Sequence, residues 1–447
     1  MDAHQLDRLY FAHVTDLERR FARVLVEQRW DAVMIHSGVL VKRSQFDDQL
    51  WPLRPCPHFQ HWLPLSEPDC LLVVQPANKA KLIRLPRESI WERPRPPESE
   101  AFYEALDVVR VHSPREAKSH LPNGRIAFIG EDPSRANEWG LGADSACPTE
   151  LLLALDALRG TKTPYEAACI AEANRRARAG HEALRDAFAA GNASELDLHL
   201  LFLRATAQDD PETPYKNIVA IGENAATLHH IAYGRHAPSR AAESLLVDAG
   251  ATCRGYCSDV TRTWVKGPGA AASAFAQLVA GVEAMQQRLC AALRVGTPYE
   301  ALHDESHRQV ARILRETGVV RASADETAAS GVTRAFYPHG LGHSLGLQTH
   351  DVGCGLRAPR GDNPLLRNTS DVSVGQVLTI EPGIYFIDAL LAELRADPER
   401  AAIVDWNLVD ALAPLGGVRI EDDVLVLERG VRNFTREQLP IGGGVVV

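Results

Sequence analysis

The 447-residue sequence predicts an α/β domain over residues 1–160 and an α+β domain over residues 161–447. Three observations predict this arrangement. The chain is too long for one ordinary domain, and 45% of its residues are hydrophobic, which is enough for two cores. Short strand patterns alternate with helix patterns in the first part. Long Ala-rich helix patterns are followed by strand-rich stretches in the second part.

The N-terminal part begins with a helix pattern over residues 17–28, where apolar residues recur every three or four positions. Three short apolar runs, at residues 31–36, 70–74 and 125–130, are typical of buried strands. Because these strands are separated by helical and loop segments, an α/β sheet is expected.

The second part begins after residues 158–163, where the quartet Thr163 to Glu166 reads Thr-Pro-Tyr-Glu. A threonine cap, a proline in the first turn and a returning glutamate together predict the start of a helix. This helix is expected to reach about Ala190, and another should follow from a cap at Ser194. The same quartet recurs at residues 297–300, after a helix pattern over residues 271–294, so an approximate internal duplication is expected.

The net charge and the distribution of basic and apolar residues argue against several classes of function. The formal net charge is −10 and no stretch is dense in Lys or Arg, which argues against nucleic acid or an anionic membrane as a partner. We find no signal-peptide pattern at the acidic N-terminus and no apolar run of ~18 residues. The eight cysteines are scattered without a metal or redox motif. A cytoplasmic protein with reduced thiols is expected.

Two aspartates in the second part fall in segments typical of a β-hairpin. Asp248 ends an apolar run, and Asp259 lies in the segment that returns toward Trp264. Eleven residues separate them, which allows the two carboxylates to lie side by side. Such a pair repels unless a cation lies between its members. In the alternative, Asp248 caps a turn and Asp259 pairs with Arg262.

Three histidines, His339, His343 and His350, lie in a glycine-rich segment. Glycines permit close approach of the backbone to a ligand and disfavour a helix, so a loop is expected. The spacing alone does not decide which histidine binds a metal.

Two glutamates follow strand patterns in the same region. Glu381 ends an apolar strand before Pro-Gly, and Glu421 alternates with Arg419 on one strand face. Arg419 in that position can orient a metal ligand or bind an anionic end of a substrate. The alternative is a simple salt bridge at a strand edge.

Four carboxylates and one imidazole form a candidate metal site with mostly hard oxygen ligands. This set suits Mn²⁺, Co²⁺, Fe²⁺ or Zn²⁺. Four carboxylates also balance the charge of two divalent cations, so two ions per chain are expected. The five predicted ligands are Asp248, Asp259, Glu381, Glu421 and one of the three histidines of the glycine-rich segment.

Taken together, residues 163–447 resemble the metallopeptidases of the pita-bread fold, a creatinase/aminopeptidase-like family that includes prolidase, aminopeptidase P and methionine aminopeptidase. All five ligand positions match in the family's order of Asp, Asp, His, Glu and Glu. The resemblance implies that Asp259 and Glu421 bridge two metal ions, most often Mn²⁺. Asp248 would bind one of the ions, and His343 with Glu381 the other.

Further matches resemble the bacterial prolidases, which cleave dipeptides that end in proline. The segment Asn224 to His229 and the pair Leu366-Arg367 are similar to those that contact the substrate carboxylate, although His230 stands where tyrosine is more usual. The resemblance implies a proton-transfer role for Glu381 and roles near the reacting bond for His350 and His339. It implies substrate binding by the residues His229, Arg367, Arg419 and Tyr215.

The resemblance has further implications for partners and activity. The loop of residues 44–52 resembles one that reaches a neighbouring subunit's active site, which implies a homodimer. Some bacterial prolidases also hydrolyse organophosphorus triesters as a side activity. Two alternatives stay open: an aminopeptidase P that acts on longer Xaa-Pro peptides, and a metal-free binding protein with the same fold.

Overall fold

The computed structural model describes residues 3–86, 90, 97–238, 243–355 and 357–446. The chain divides into two units, Met1–Cys169 and Ile170–Val447. A helix, Pro164–Ala190, runs across this division, and the boundary expected between residues 160 and 161 stays a prediction. Within the described ranges, no helix is both long and apolar enough to cross a bilayer.

The first unit contains five helices and five strands among its described residues. The helices are α1 Ala3–Glu27, α2 Pro57–Gln60, α3 Ala101–Glu104, α4 Pro114–Ser119 and α5 Thr149–Arg159. The strands are β1 Ala32–His36, β2 Leu71–Val74, β3 Lys81–Arg84, β4 Asp107–Arg110 and β5 Ile126–Ile129. The strands form one mixed sheet in the order β4-β3-β2-β1-β5, which confirms the α/β prediction for this part of the chain.

The helices and strands of this unit coincide with its patterns of apolar side chains. Met34, Leu71 and Phe128, from three neighbouring strands, are buried in one core cluster. The first helix begins at Ala3 rather than Leu17 because the apolar stripe extends upstream through residues such as Leu6 and Tyr10. Strand β4 lies at the edge of the sheet and is mostly exposed. It therefore lacks the run of apolar residues by which a buried strand is predicted.

The second unit alternates helical and strand-rich stretches, as predicted. Its helices are α6 Pro164–Ala190, which starts in the first unit, α7 Glu195–Thr206, α8 Ala270–Ala292, α9 Tyr299–Glu316, α10 Ala324–Ala329, α11 Thr333–Phe336, α12 Asp388–Ala396, α13 Pro398–Ala401 and α14 Trp406–Leu412. Its strands are β6 Ile218–Ile221, β7 Glu243–Asp248, β8 Thr252–Cys253, β9 Tyr256–Cys257, β10 Thr261–Lys266, β11 Val377–Ile380, β12 Gly383–Tyr385, β13 Gly417–Arg419, β14 Asp422–Val426, β15 Val431–Asn433 and β16 Gly443–Val445.

Two sheets of this unit supply the site described below. One has the order β16-β10-β7-β6, and its β7–β10 pair is antiparallel, as the hairpin prediction required. The other has the order β11-β14-β15 and is antiparallel throughout. A large apolar cluster, which includes Phe275 and Val282 of α8 and Leu378 of β11, packs the long helices against these strands.

The two Thr-Pro-Tyr-Glu quartets begin helices in different ways. Glu166 accepts a hydrogen bond from the Thr163 N–H at 2.7 Å, and the Thr163 hydroxyl accepts one from the Glu166 N–H at 3.4 Å. This is the predicted capping box. The second quartet also precedes a helix, but α9 begins after Pro298 without a side-chain cap. Here Glu300 instead accepts hydrogen bonds from the loop residues Arg360 and Asn363, both at 3.2 Å.

One buried histidine makes the stability of this unit dependent on pH. Burial lowers the pKa of His181 to about 3, whereas the unfolded value is about 6.5. The unfolded chain therefore binds more protons between these values, and stability falls as the pH falls through this window. His181→Gln retains a donor for the Ala249 carbonyl, which lies 2.9 Å from His181 Nε2.

Between pH 7 and pH 5, the wild-type chain is expected to lose about 2 kcal/mol more unfolding free energy than His181→Gln. Denaturant titrations of both proteins at the two pH values measure the difference. Equal losses would contradict the assignment of this pH dependence to His181.

Candidate metal centre

The paired strands of the second unit place three polar residues in a row. Asp248 ends β7 and pairs with Thr261, the first residue of β10. On its other side, Thr261 forms an antiparallel bridge with Glu421. The Thr261 hydroxyl donates a hydrogen bond to Glu421 Oε2 at 2.7 Å. One threonine thus joins the strands that carry two of the predicted ligands.

A tyrosine joins the two aspartates of the hairpin. The Tyr215 hydroxyl lies 2.6 Å from Asp248 Oδ1 and 2.5 Å from Asp259 Oδ1. Because this hydroxyl has a single proton, it can donate to only one of the two carboxylates at a time. The alternative ion pair between Asp259 and Arg262 is not observed. Arg262 pairs with Asp422 at 3.0 Å instead.

The glycine-rich histidine segment lies directly against strand β11. A side chain at Gly342, whose φ is +159°, would place its Cβ 2.1 Å from the Thr379 carbonyl oxygen. The His343 N–H donates to the Thr379 hydroxyl at 3.0 Å, and the Thr379 N–H donates to the His343 carbonyl at 2.9 Å. The expected loop is thus held in register beside the strand that leads to Glu381.

These contacts aim the imidazole of His343 at the carboxylates. Its Nδ1 lies 3.1 Å from the Ser344 carbonyl, which can only accept a hydrogen bond. Nδ1 therefore carries the proton when the ring is neutral, and Nε2 offers its lone pair. Nε2 lies 3.4 Å from Asp259 Oδ2 and 3.4 Å from Glu381 Oε1.

Three of the predicted ligands form one compact buried group. One ligand atom from each of Asp259, His343 and Glu421 lies within 4.8 Å of the other two. Glu381 contacts the group through His343, and Asp248 contacts it through Tyr215. The structure therefore brings together all five residues that the sequence singled out.

The charges of this group are poorly compensated by protein alone. Burial raises the pKa of Glu381 to about 7, with further increases from Asp259 and Asp248 and opposition from His343 and Arg419. Burial and neighbouring carboxylates also raise the pKa of Glu421 well above its usual value. Cations beside these carboxylates would therefore favour their ionised forms near neutral pH.

His343 supplies some positive charge in the chain without ions. Burial opposes protonation of its ring, but the hydrogen bond to Asp259 and the charge of Glu381 raise its pKa to about 9. A protonated imidazole has no lone pair for a metal. Metal binding therefore requires the loss of this proton.

Arg419 is buried beside the group and uses donors on all three of its nitrogens. Its guanidinium donates to Asp248 Oδ2 at 2.7 Å, to the Thr261 hydroxyl at 3.1 Å and to the Tyr385 hydroxyl at 3.0 Å. These contacts favour the interpretation in which Arg419 orients Asp248. The Tyr385 hydroxyl also lies 2.8 Å from His339 Nε2, so His339 belongs to the same network.

The remaining predicted residues lie around this centre. His350 is exposed, and its ring contacts that of His343, with centroids 4.5 Å apart. Although part of the side chain reaches solvent, desolvation by the surrounding residues lowers the pKa of His350 to about 4, with smaller contributions from the charges of His343, Arg367 and His229. Arg367 and His229 are both exposed. Their electrostatic effect on His350 indicates that both lie near it, and the side of the centre with these three exposed residues is here called its open side.

The comparisons with known proteins agree with this geometry. The sequence pattern described as Metallopeptidase family M24 matches residues 168–428. The chain belongs to this family. A second pattern, described as Xaa-Pro dipeptidase, N-terminal domain, matches residues 8–156. The M24 chain is thus a metallopeptidase, and the prediction of a divalent-metal enzyme is confirmed at the level of the family.

Curated relatives align with the M24 chain over nearly their whole length. An Xaa-Pro dipeptidase from Pseudoalteromonas atlantica is 39% identical over 443 residues, which cover 97% of this chain and 99% of the relative. An Xaa-Pro dipeptidase from Aeromonas hydrophila is 40% identical over 442 residues, which cover 96% and 98%. The expected resemblance to prolidases is confirmed.

Solved structures confirm the expected pita-bread fold of the M24 chain. Proline aminopeptidase P II from Yersinia pestis has a TM-score of 0.72 and 24% identity, and the match covers 96% of both chains. Zn-substituted aminopeptidase P from E. coli in complex with product has a TM-score of 0.72 and 23% identity, with 95% and 96% covered. At this identity the likeness concerns the fold alone.

Three residues that contact the centre of this M24 chain were not predicted. Thr261 links Glu421 and Arg419, Thr379 fixes the backbone of His343, and Tyr385 links Arg419 to His339. Period-2 alternation could have indicated the two threonines, because each lies two residues from a predicted ligand along the chain. Tyr385 carries no comparable signal.

Proposed function

We propose that the chain is a dinuclear metal-dependent dipeptidase that cleaves Xaa-Pro dipeptides and releases proline. The observation that carries this proposal is the buried group of Asp259, His343 and Glu421, with Asp248 and Glu381 beside it. The full-length likeness to curated Xaa-Pro dipeptidases supports the choice of substrate.

The residues of the centre fit a pair of divalent ions. Four oxygen-donating carboxylates and one imidazole match the preference of Mn²⁺, which we propose as the metal, while Co²⁺, Fe²⁺ and Zn²⁺ also suit this donor set. The raised pKa values of Glu381 and Glu421 support this proposal, because cations beside these carboxylates would favour their ionised forms. When bound, the ions would acidify a water molecule and polarise the scissile carbonyl.

The ligand roles are those that the family resemblance implies. Asp259 and Glu421, which both belong to the compact group, would each hold both ions. Asp248 would hold one ion and His343 with Glu381 the other. These assignments are supported by the sharing of Tyr215 between the two aspartates, and by the 3.4 Å contact between His343 and Glu381.

We assign proton transfer to Glu381. Its carboxylate lies between His343 and His339, beside the proposed ion site, so it can take a proton from the attacking water and return it to the prolyl nitrogen. His350 would stabilise the oxyanion, since it lies at the open side of the centre against His343. His339 would lie in the substrate shell, where its Nδ1 is 3.7 Å from Glu381 Oε2.

Cationic side chains at the open side would bind the proline carboxylate. Arg367 and His229 are exposed and lie near His350, which supports this role. Arg419 remains a candidate, although its buried contacts support the orienting role. Tyr215 would line the pocket for the N-terminal side chain in addition to contacting the two aspartates.

A panel of peptides tests the substrate proposal. With added Mn²⁺, Ala-Pro is expected to be cleaved at least about 100-fold faster, by kcat/KM, than the tripeptide Ala-Pro-Ala, because the tripeptide would leave the carboxylate-binding cations facing an amide. Preference for the tripeptide would indicate aminopeptidase P instead. Absence of hydrolysis for every peptide, together with absence of bound metal, would indicate a binding protein.

Three further properties remain proposals on family grounds. We propose a homodimer, which the exposure of Phe46 (89%) and Trp51 (55%) in the loop of residues 44–52 supports. We propose a cytoplasmic location. Hydrolysis of organophosphorus triesters is proposed as a side activity, and a phosphotriester assay with Mn²⁺ tests it.

A further inference from the structure

A buried glutamate outside the metal centre organises the segment that carries His229. Glu195 is the first residue of α7 and is 3% exposed. Its Oε1 accepts hydrogen bonds from the Ile221 N–H and the Asn224 amide, both at 2.8 Å. Its Oε2 accepts from His230 Nε2 at 2.8 Å and from the Gly234 N–H at 2.7 Å. Two donors therefore reach each carboxylate oxygen.

These four donors belong to one short stretch of chain. The stretch of residues 221–234, here called the His229 segment, starts at the end of β6 and contains one short 3-10 helix, Gly222–Ala226. Beyond that helix it has no regular structure in which its N–H groups could pair. Glu195 therefore supplies the main polar contacts that hold both ends of the segment together.

The position of Glu195 makes it suited to remain ionised. The capping box of Ser194 and Asp197 begins α7, so the Glu195 carboxylate lies near the positive end of the helix. Burial opposes its charge, but hydrogen bonds from His230, Gly234, Ile221 and Asn224 together lower its pKa. A carboxylate that accepts four hydrogen bonds holds its donors strongly and in fixed directions.

His229 lies directly beside one of these four donors. Its side chain is exposed, and its electrostatic effect reaches both His339 and His350. Because His229 adjoins His230 in the chain, the contacts of Glu195 hold the backbone from which the His229 side chain extends.

We propose that Glu195 is a positioning residue for substrate binding, which holds the His229 segment so that His229 faces the carboxylate of the dipeptide. This role rests on the proposed function, because it assumes that His229 binds that carboxylate. The hydrogen bonds of Glu195 described above go to none of the five predicted metal ligands. Glu195 acts through His230 and the backbone of the segment.

Glu195→Gln tests this role, because it keeps the shape of the side chain while replacing one acceptor oxygen by a donor. KM for Ala-Pro is expected to rise about tenfold with kcat changed less than about twofold, since misplacement of a binding group weakens binding without removing the reacting groups. Amide hydrogen exchange should become faster at Ile221 and Gly234. Metal content should not change.

A double-mutant cycle with His229→Ala separates positioning from a general structural role. If Glu195 acts through His229, Glu195→Gln should change KM less than about twofold in the His229→Ala background. Equal effects in the two backgrounds would overturn the proposal. His230→Ala and Asn224→Ala, which each remove one of the four donors, should give smaller changes in the same direction and keep the test usable if Glu195→Gln folds poorly.

Controls distinguish failure of this role from failure of the proposed function. Glu393→Gln makes the same chemical change on the exposed face of α12 and should leave KM unchanged. If His229→Ala raises KM but Glu195→Gln does not, the positioning role is refuted and the dipeptidase proposal stands. If the wild-type chain with Mn²⁺ cleaves no Xaa-Pro dipeptide, the proposed function is refuted, and the role of Glu195 with it.

Discussion

Replacement of Glu381 by alanine is expected to lower kcat for Ala-Pro by at least about 1,000-fold, because it removes a metal ligand and the proposed proton carrier together. The contacts explain the size of the effect. Glu381 lies 3.4 Å from His343 Nε2, a predicted metal ligand, and 3.7 Å from Nδ1 of His339, which we place in the substrate shell. Steady-state assays with saturating Mn²⁺ measure the loss.

Glu381→Gln separates the two roles of this residue. The amide retains an oxygen that can face a metal but cannot take up a proton at neutral pH. A variant that binds metal and remains almost inactive would support proton transfer. Glu393→Gln, on the exposed face of α12, is the matched control and should be fully active. An alanine variant that keeps more than about a tenth of wild-type kcat would refute a catalytic role for Glu381, given the 10²–10⁴-fold effects usual for general acid–base groups.

Removal of the metal ions by a chelator is expected to abolish hydrolysis and to lower the thermal unfolding midpoint. A ligand present at about 1,000 times its Kd stabilises the folded chain by about 4 kcal/mol. Without the ions, Asp248, Glu381 and Glu421 remain beside the carboxylate of Asp259, and burial together with this like charge raises the pKa of all three. Activity assays and thermal unfolding with and without chelator measure both effects.

Restoration by Mn²⁺ completes this test. Both activity and the unfolding midpoint should return when Mn²⁺ is added to the chelated protein. Glu421→Gln, which weakens the compact ligand group, should show a much smaller Mn²⁺-dependent rise in the midpoint. Full activity in protein with no detectable metal would contradict a metal-dependent mechanism.

The elements of the fold that have strong sequence signals were predicted well. The capping box of Thr163 and Glu166, the strand of residues 31–36 and the hairpin between Asp248 and Asp259 are local patterns of spacing and polarity, and the structure contains all three. The edge strand β4 was missed because most of its residues are exposed and it therefore has no apolar run. The early start of α1 was missed because apolar residues recur less regularly before Leu17 than after it.

The residues of the candidate site were likewise only partly predictable from the sequence. The five predicted ligands are polar residues next to apolar strands, and that contrast makes them recognisable in a sequence. Tyr385 and Glu195 act through contacts with residues far away along the chain, such as Arg419 and Gly234. No repeating pattern of neighbouring residues indicates such contacts, because they depend on how strands and loops meet in space. The structure is needed to find them.

Elemental analysis of the purified protein tests the central claim most directly. The protein is prepared without chelator, equilibrated with Mn²⁺ and freed of unbound ions before its metal content is measured. We expect about two ions per chain, because four carboxylates balance the charge of two divalent cations, and about one or fewer in Asp259→Ala. A wild-type chain that binds about one ion or fewer, under conditions in which it cleaves Ala-Pro, would contradict the claim that these residues form a dinuclear centre.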